Sequence, residues 1–217
     1  ASRPFSHRVI RQRTAFRAAR DETGARASIQ DLYRLLAREE SRNDMIFDDV
    51  LAALEARRSP IVITERKDHL QTIAERLRRF AKNVIVLKGG MKAKERKQAI
   101  AALEAVPDGE ERVIVATGRY LGEGFDDARL DTLFLTMPIS WRGTLAQYAG
   151  RLHRLHAAKR EVVIYDYVDE DEPVLAKMAA KREAGYKALG YDVTHAGELF
   201  SRETGLVSPL RARDQVR

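Results

Sequence analysis

Cysteine is absent from the 217 residues, which excludes a disulfide framework and any thiolate-bound zinc site. That absence suits a cytoplasmic protein. No stretch approaches the ~20 consecutive apolar residues that a membrane-spanning helix needs, and the first residues lack the apolar core of a secretion signal. Internal repeats and low-complexity tracts are also missing, so neither a solenoid nor a disordered linker accounts for the chain. What is present is ordinary globular material. Hydrophobic residues make up 44% and charged residues 33%, enough apolar side chain for a core. The length fits one full domain with flanking elements, or at most two small domains. The chain begins at Ala1 rather than Met and is read as a piece of a longer protein. Its 39 basic residues against 32 acidic ones give a net charge of +7, a modest bias toward polyanionic partners.

The charge is uneven. Residues 1–20 hold six arginines and no acid, and residues 141–160 hold Arg142, Arg151, Arg154, Lys159 and Arg160, again without an acid. Between these segments two periodicities alternate. Pro60–Ile63, Val84–Leu87, Arg112–Ala116, Thr132–Leu135 and Val162–Tyr165 are short, β-branched runs, each dense enough for a strand covered on both faces. Helical spacing links Phe47, Val50, Leu51 and Leu54, then Leu70, Ile73, Ala74, Leu77 and Phe80, then Arg96, Ala99, Ile100 and Leu103. Strand and helix in alternation predict an α/β domain over residues 43–170, a parallel sheet flanked by helices on both faces. Residues 1–42 read as a basic linker or extension from a preceding domain, with an extended start at Arg8–Arg11 and a short helix through Ile29, Leu32, Tyr33 and Leu36. Residues 171–217 read as a closing helix that carries Pro173 in its first turn, then loop and tail after Gly190.

Ligands of such sheets bind beyond the carboxyl ends of the strands. The segments that follow each run are Thr64-Glu65-Arg66, Lys88-Gly89-Gly90, Thr117-Gly118-Arg119 and, after Pro138–Trp141, Gln147 through Arg154. Hydroxyls, glycines and arginines on one edge suit phosphate oxygens, which backbone amides and guanidinium groups bind well. A Gly-x-x-x-x-Gly-Lys-Ser/Thr phosphate loop is missing. Gly-x-Gly occurs only as Gly122-Glu123-Gly124, and no acidic pair follows an apolar strand. The residues describe half of a nucleotide site, unable to hydrolyse ATP alone.

In this order the segments resemble the second RecA-like domain of a superfamily 2 helicase of the DEAD/DEAH and restriction-type group. Ile61–Arg66 is similar to motif IV, Leu87–Met91 to the glycine turn after it, Ala116-Thr117 through Gly124-Phe125-Asp126 to motif V, and Gln147–Arg154 to the Gln-x-x-Gly-Arg-x-x-Arg of motif VI. The resemblance implies that ATP and Mg are held mainly by a missing N-terminal RecA-like domain of the same protein. Arg151 and Arg154, one turn apart on a helix, would reach the γ-phosphate as catalytic arginine fingers. Gly124, Asp126 and Gln147 would bind ATP, and Thr64, Arg66, Gly89, Gly90, Thr117 and Arg119 would bind nucleic-acid backbone. The stretch between Thr117 and Gly124 is one residue longer than in DEAD-box proteins, which points to DNA, with RNA the alternative partner. No membrane partner is implied.

Each residue has a plainer reading. Arg151 and Arg154 can be surface ion-pair residues, Asp126 a turn cap, Gly89 and Gly90 turn glycines, and Thr64 and Thr117 strand ends. His153 and His156 have a spacing that metal sites use, but no further ligand stands near them in sequence, and no metal site is expected. Trp141 can stack on a base or pack over the sheet edge. At the level of function, a motor domain competes with an ATP-independent nucleic-acid-binding α/β module. It also competes with a dinucleotide or nucleotide-sugar enzyme, which would need an acid where Lys88-Gly89-Gly90 stands.

Overall fold

The computed structural model describes residues 5–19, 27–118, 120, 125–139 and 144–196. Seven strands are found among them: β1 (Ser6–Arg13), β2 (Pro60–Thr64), β3 (Val84–Leu87), β4 (Val113–Thr117), β5 (Thr132–Leu135), β6 (Glu161–Val168) and β7 (Asp192–His195). They form one sheet in the order β3-β4-β2-β5-β6-β1-β7. Every pairing is parallel, with Thr64 opposite Thr117 and Leu135 opposite Asp166. The five apolar runs are all strands. Parallel neighbours need crossovers, and these carry α1 (Ile29–Arg38), α2 (Glu40–Glu55), α3 (Lys67–Leu77), α4 (Ala93–Glu104), α5 (Ala146–Leu152) and α6 (Pro173–Ala188).

Alternation along the strands sorts the core into two layers. Ile61, Ile63, Ile114, Ala116, Leu133 and Leu135 face one layer, which Leu103 of α4, Tyr148 and Leu152 of α5 and Tyr186 of α6 complete. Val62, Val113, Val115 and Phe134 face the other, against Val50 and Leu54 of α2 and Leu70, Ile73 and Leu77 of α3. The architecture is therefore the expected parallel α/β sandwich with helices on both faces.

Two buried ion pairs fix the helices beside β6. Arg182 of α6 meets Asp166 at 2.8 Å, and Arg42 of α2 meets Asp169 at 3.0 Å, with all four side chains essentially out of solvent. Arg42 also donates to the carbonyl of Thr136 at 2.6 Å, and the Thr14 hydroxyl donates to Asp169 at 2.6 Å. Such pairs add little net stability, but losing one partner strands a charge and costs about 3–5 kcal/mol.

The structure departs from the sequence expectation in four places. The extended start at residues 8–11 is a full strand inside the sheet, between β6 and β7. The segment after Gly190, expected as loop, pairs with β1 through Asp192–His195. Phe80 lies beyond the end of α3 and is 64% exposed, stacked edge-on against Phe47 instead of entering the core. Finally, α5 ends at Leu152 with His153 as its C-cap, so Arg154 stands past the helix and not on its face.

Candidate functional site

The carboxyl ends of β2, β4 and β5 open onto a cavity of about 600 Å³ whose lining includes Tyr33, Glu65, Arg66, Gly118, Gln147 and Tyr148. Its floor is tightly built. Gly118 follows β4, and a Cβ there would run into the Tyr148 hydroxyl and the Glu65 carboxylate. The Tyr148 hydroxyl donates to Glu65 Oε1 at 3.3 Å. Glu65 is exposed as a residue, yet desolvation of its inward-turned carboxyl raises its pKa, with the Tyr148 bond acting in the opposite direction. Burial, then the Glu65 charge, pushes Tyr148 well above its ordinary value. From α1, Tyr33 closes the cavity by donating to the carbonyl of Pro138 at 2.5 Å.

Thr64 belongs to the interior. Its side chain is buried, its hydroxyl stands 2.9 Å from His69 Nδ1, and the far ring nitrogen of His69 stands 2.8 Å from Asn43 Oδ1. Burial, then nearby Arg42, pushes His69 down to about 3, so the ring is neutral. A neutral ring satisfies both bonds in one arrangement: Thr64 donates to Nδ1, and Nε2–H donates to Asn43. The backbone amide of Arg66 donates to the Thr64 oxygen at 3.3 Å. The Arg66 guanidinium is forked onto Asp68 at 3.0 and 2.6 Å.

Beside β2, the Gly89 amide donates to the Thr117 hydroxyl at 2.8 Å, which ties the turn after β3 to the end of β4. Gly90 has φ +79°, a left-handed conformation that makes glycine the natural residue there. Across the sheet, Arg154 forms a two-pronged pair with Asp126, at 3.1 Å from Nε and 2.9 Å from Nη2. Both residues are exposed, with side chains 59% and 42% accessible. Arg151 is half-buried on α5. The backbone around Arg154 is held from below by buried Lys159, which donates to the carbonyls of Leu152 at 2.8 Å and Arg154 at 2.7 Å.

The structure thus brings together Arg154 with Asp126, Gly89 with Thr117, and Gln147 with Arg66 at the cavity. It does not bring Gln147 and Asp126 into one cavity, since Asp126 lines a separate hollow of about 500 Å³ beside α4. Arg119, Gly124 and Trp141 lie outside the described residues. Glu65, Gly118 and Tyr148 stand inside the segments that sequence reasoning singled out, but their mutual contact has no local signature. Tyr33 comes from a segment read as a linker, and nothing local to it signals a place in the cavity. Among the described residues, no three His, Cys, Asp or Glu side chains cluster so as to hold a metal ion.

Residues 42–156 match the model of the helicase conserved C-terminal domain family. An uncharacterized protein, 108L of Invertebrate iridescent virus 3, is 30% identical over 106 residues, covering 49% of this chain and 91% of its own length. Among solved structures, T4 UvsW is 15% identical with a TM-score of 0.66, covering 90% of this chain, which spans 42% of that one. The C-terminal domain of the DEAD-box protein Dbp5 is 14% identical with a TM-score of 0.55, covering 93% of this chain and 96% of that one. Dbp5 from S. cerevisiae has also been solved bound to RNA and ADP BeF3; it is 15% identical with a TM-score of 0.53, covering 94% of this chain and 44% of that one. The parallel sheet and the family match agree: the chain belongs to the helicase conserved C-terminal domain family and has the RecA-like fold of such a domain.

Proposed function

We propose that this chain is the C-terminal motor half of an ATP-dependent nucleic-acid helicase or translocase, part of a longer protein and inactive as a hydrolase alone. The observation that carries the reading is the Arg154–Asp126 pair, which joins two motif segments on an exposed rim. An exposed guanidinium beside a carboxylate can turn from that partner to a phosphate presented by a facing domain. Arg151 and Arg154 then neutralise charge that develops on the transferred phosphoryl group. Arginines in that role contribute roughly a thousandfold or more in rate, which corresponds to about 4 kcal/mol. Asp126, released, is free to accept from ribose hydroxyls, and Gln147 orients groups at the mouth of the cavity. ATP and its Mg would be held mainly by the preceding RecA-like domain, since the described residues here supply cations and hydroxyls but no cluster of acids. Gly89, Gly90 and Thr117 present backbone amides and a hydroxyl to a strand, contacts that position it without reading sequence. DNA is the proposed strand, and the RNA in the Dbp5 structure supports a nucleic-acid partner generally.

The test is ATP hydrolysis by the protein that joins this chain to its phosphate-loop domain, with and without DNA, against an Arg151→Ala/Arg154→Ala variant. Nucleic-acid-stimulated hydrolysis reduced a thousandfold or more in the variant is expected, with the fold retained by circular dichroism. No hydrolysis in the parent, or equal rates in both, leaves a nucleic-acid-binding module without motor function.

A further inference from the structure

We propose that Lys88, Lys92, Lys94 and Lys97 form a phosphate-contacting ridge that supplies most of the electrostatic attraction of this chain for a nucleic-acid strand, while Arg66 supplies little. The inference rests on the reading of this sheet edge as a nucleic-acid surface and concerns which residues do the binding. The arginine beside the end of β2 is already matched: Arg66 is paired to Asp68 at 2.6 Å. A carboxylate at that distance cancels most of the field that a phosphate would feel.

The four lysines differ. All are exposed, and none enters an ion pair among the described residues. The only acid between residues 88 and 97 is Glu95, and its carboxylate accepts the backbone amide of Lys92 at 3.1 Å as part of the helix cap. Arg96, between them, lays its guanidinium over the Tyr120 ring at 5.3 Å and so belongs to a different surface.

Their placement suits the task. Lys88 directly follows β3, Lys92 directly precedes α4, and Lys94 and Lys97 lie one turn apart at its start. With a rise of about 1.5 Å per residue, Lys97 is roughly 6 Å along the helix from Ala93. The ridge therefore stays within about one helical turn of the carboxyl edge of the sheet. The bond from Gly89 to Thr117 anchors it beside the backbone groups already assigned to the strand. Lysines on such an anchored rim act as point charges on the phosphodiester backbone, common to DNA and RNA and indifferent to base.

The ridge is tested on the chain itself by fluorescence anisotropy with fluorescein-labelled 20-nucleotide oligo-dT and oligo-U, between 25 and 200 mM NaCl. Each neutralised phosphate contributes about 0.7 to the slope of log K against log salt for a single strand. Replacing all four lysines with Gln is therefore expected to reduce the slope by about 2–3 and to weaken binding at least tenfold at 50 mM. A control variant replaces Arg57, Arg78, Arg79 and Arg160 with Gln, four exposed cations near the opposite end of the strands, losing the same charge. It should keep the wild-type slope, and Arg66→Gln should change affinity by less than twofold. An unchanged slope in the lysine variant overturns the proposal, as does an equal loss in the control or the absence of salt-dependent binding by the wild-type chain. Binding lost only for oligo-dT or only for oligo-U also overturns it, because a backbone ridge acts on both. The motor reading fails separately, on the hydrolysis rates of the Arg151 and Arg154 variant.

Discussion

Gly118 shows how a single missing side chain can hold three motif segments in register. It directly follows β4, where the Tyr148 hydroxyl from α5 and the carboxylate of Glu65, just after β2, meet, and both lie within the space that a Cβ would occupy. Gly118→Ala must displace a rigid phenol or break the Tyr148–Glu65 bond, an overpacking that costs about 1–3 kcal/mol. Urea denaturation should show that loss in the wild-type background and a clearly smaller loss in a Tyr148→Phe background, where the colliding oxygen is gone. Equal losses in the two backgrounds would mean that the phenol is not what fills the space. The same residues mark what sequence reasoning could and could not see. Glycine after a strand is visible in the sequence, but the pairing of residues 65, 118 and 148 is not, because it depends on strand order. Thr64 is the converse: its position at a strand end is legible, whereas its bond to His69 is fixed by Asn43 of α2, which holds the far nitrogen of the ring.

The junction of β2, α2 and α3 is built on that buried imidazole, and its stability must follow pH. His69 is held to about 3 by burial, against 6.5 when unhindered. Between those values the unfolded chain takes up a proton that the folded chain refuses, so stability is full above about pH 6.5 and declines as pH falls. Asp49, raised to about 6 by burial despite bonds from Tyr167 and Gln12, has the opposite sign. It keeps a proton that the unfolded chain has released, and so favours folding as pH falls from about 6 toward 4. The larger His69 shift dominates. His69→Gln should flatten the decline in unfolding free energy between pH 7 and 5 by on the order of 2 kcal/mol, measured by urea titration at each pH. A decline as steep as in wild type would place the titrating group elsewhere. Elements of this kind were unevenly legible. Strands β2 to β6 stand out because both faces are covered, which leaves unbroken apolar runs. The end of α5 is not legible, because Arg154 continues the helical spacing while the backbone leaves it at His153, and Lys159 satisfies carbonyls there from outside the helix.

At the scale of the whole sheet, the first and last strands depend on partners more than 140 residues away. β1 is rich in arginine, and alone it reads as a solvated arm. Its charges are matched across the molecule, Arg8 to Glu161 at 3.1 Å and Arg11 to Glu183 at 2.5 Å, while Val9 and Ile10 are buried. The extended run at Arg8–Arg11 is legible in the sequence, but its place inside the sheet is not, since the acids that make it tolerable lie in β6 and α6. β7 is four residues long, and among the described residues its sheet neighbour is β1. The order β6-β1-β7 therefore makes the N-terminal strand a keystone for the C-terminal end of the fold. Deleting residues 1–13 removes Phe5, Val9 and Ile10 from the buried set, a loss of about 4.5–9 kcal/mol at 1.5–3 kcal/mol each, and frees the edge of β6. Against a total stability of about 5–15 kcal/mol for an ordinary domain, the truncated chain should lose its cooperative urea transition or show a midpoint far below wild type. Limited proteolysis should then cut first within α6 and β7, which have lost the strand beside them. A truncated chain with an unshifted midpoint and intact protection over residues 173–195 would show that the five-strand core folds independently, with β1 an addition to it.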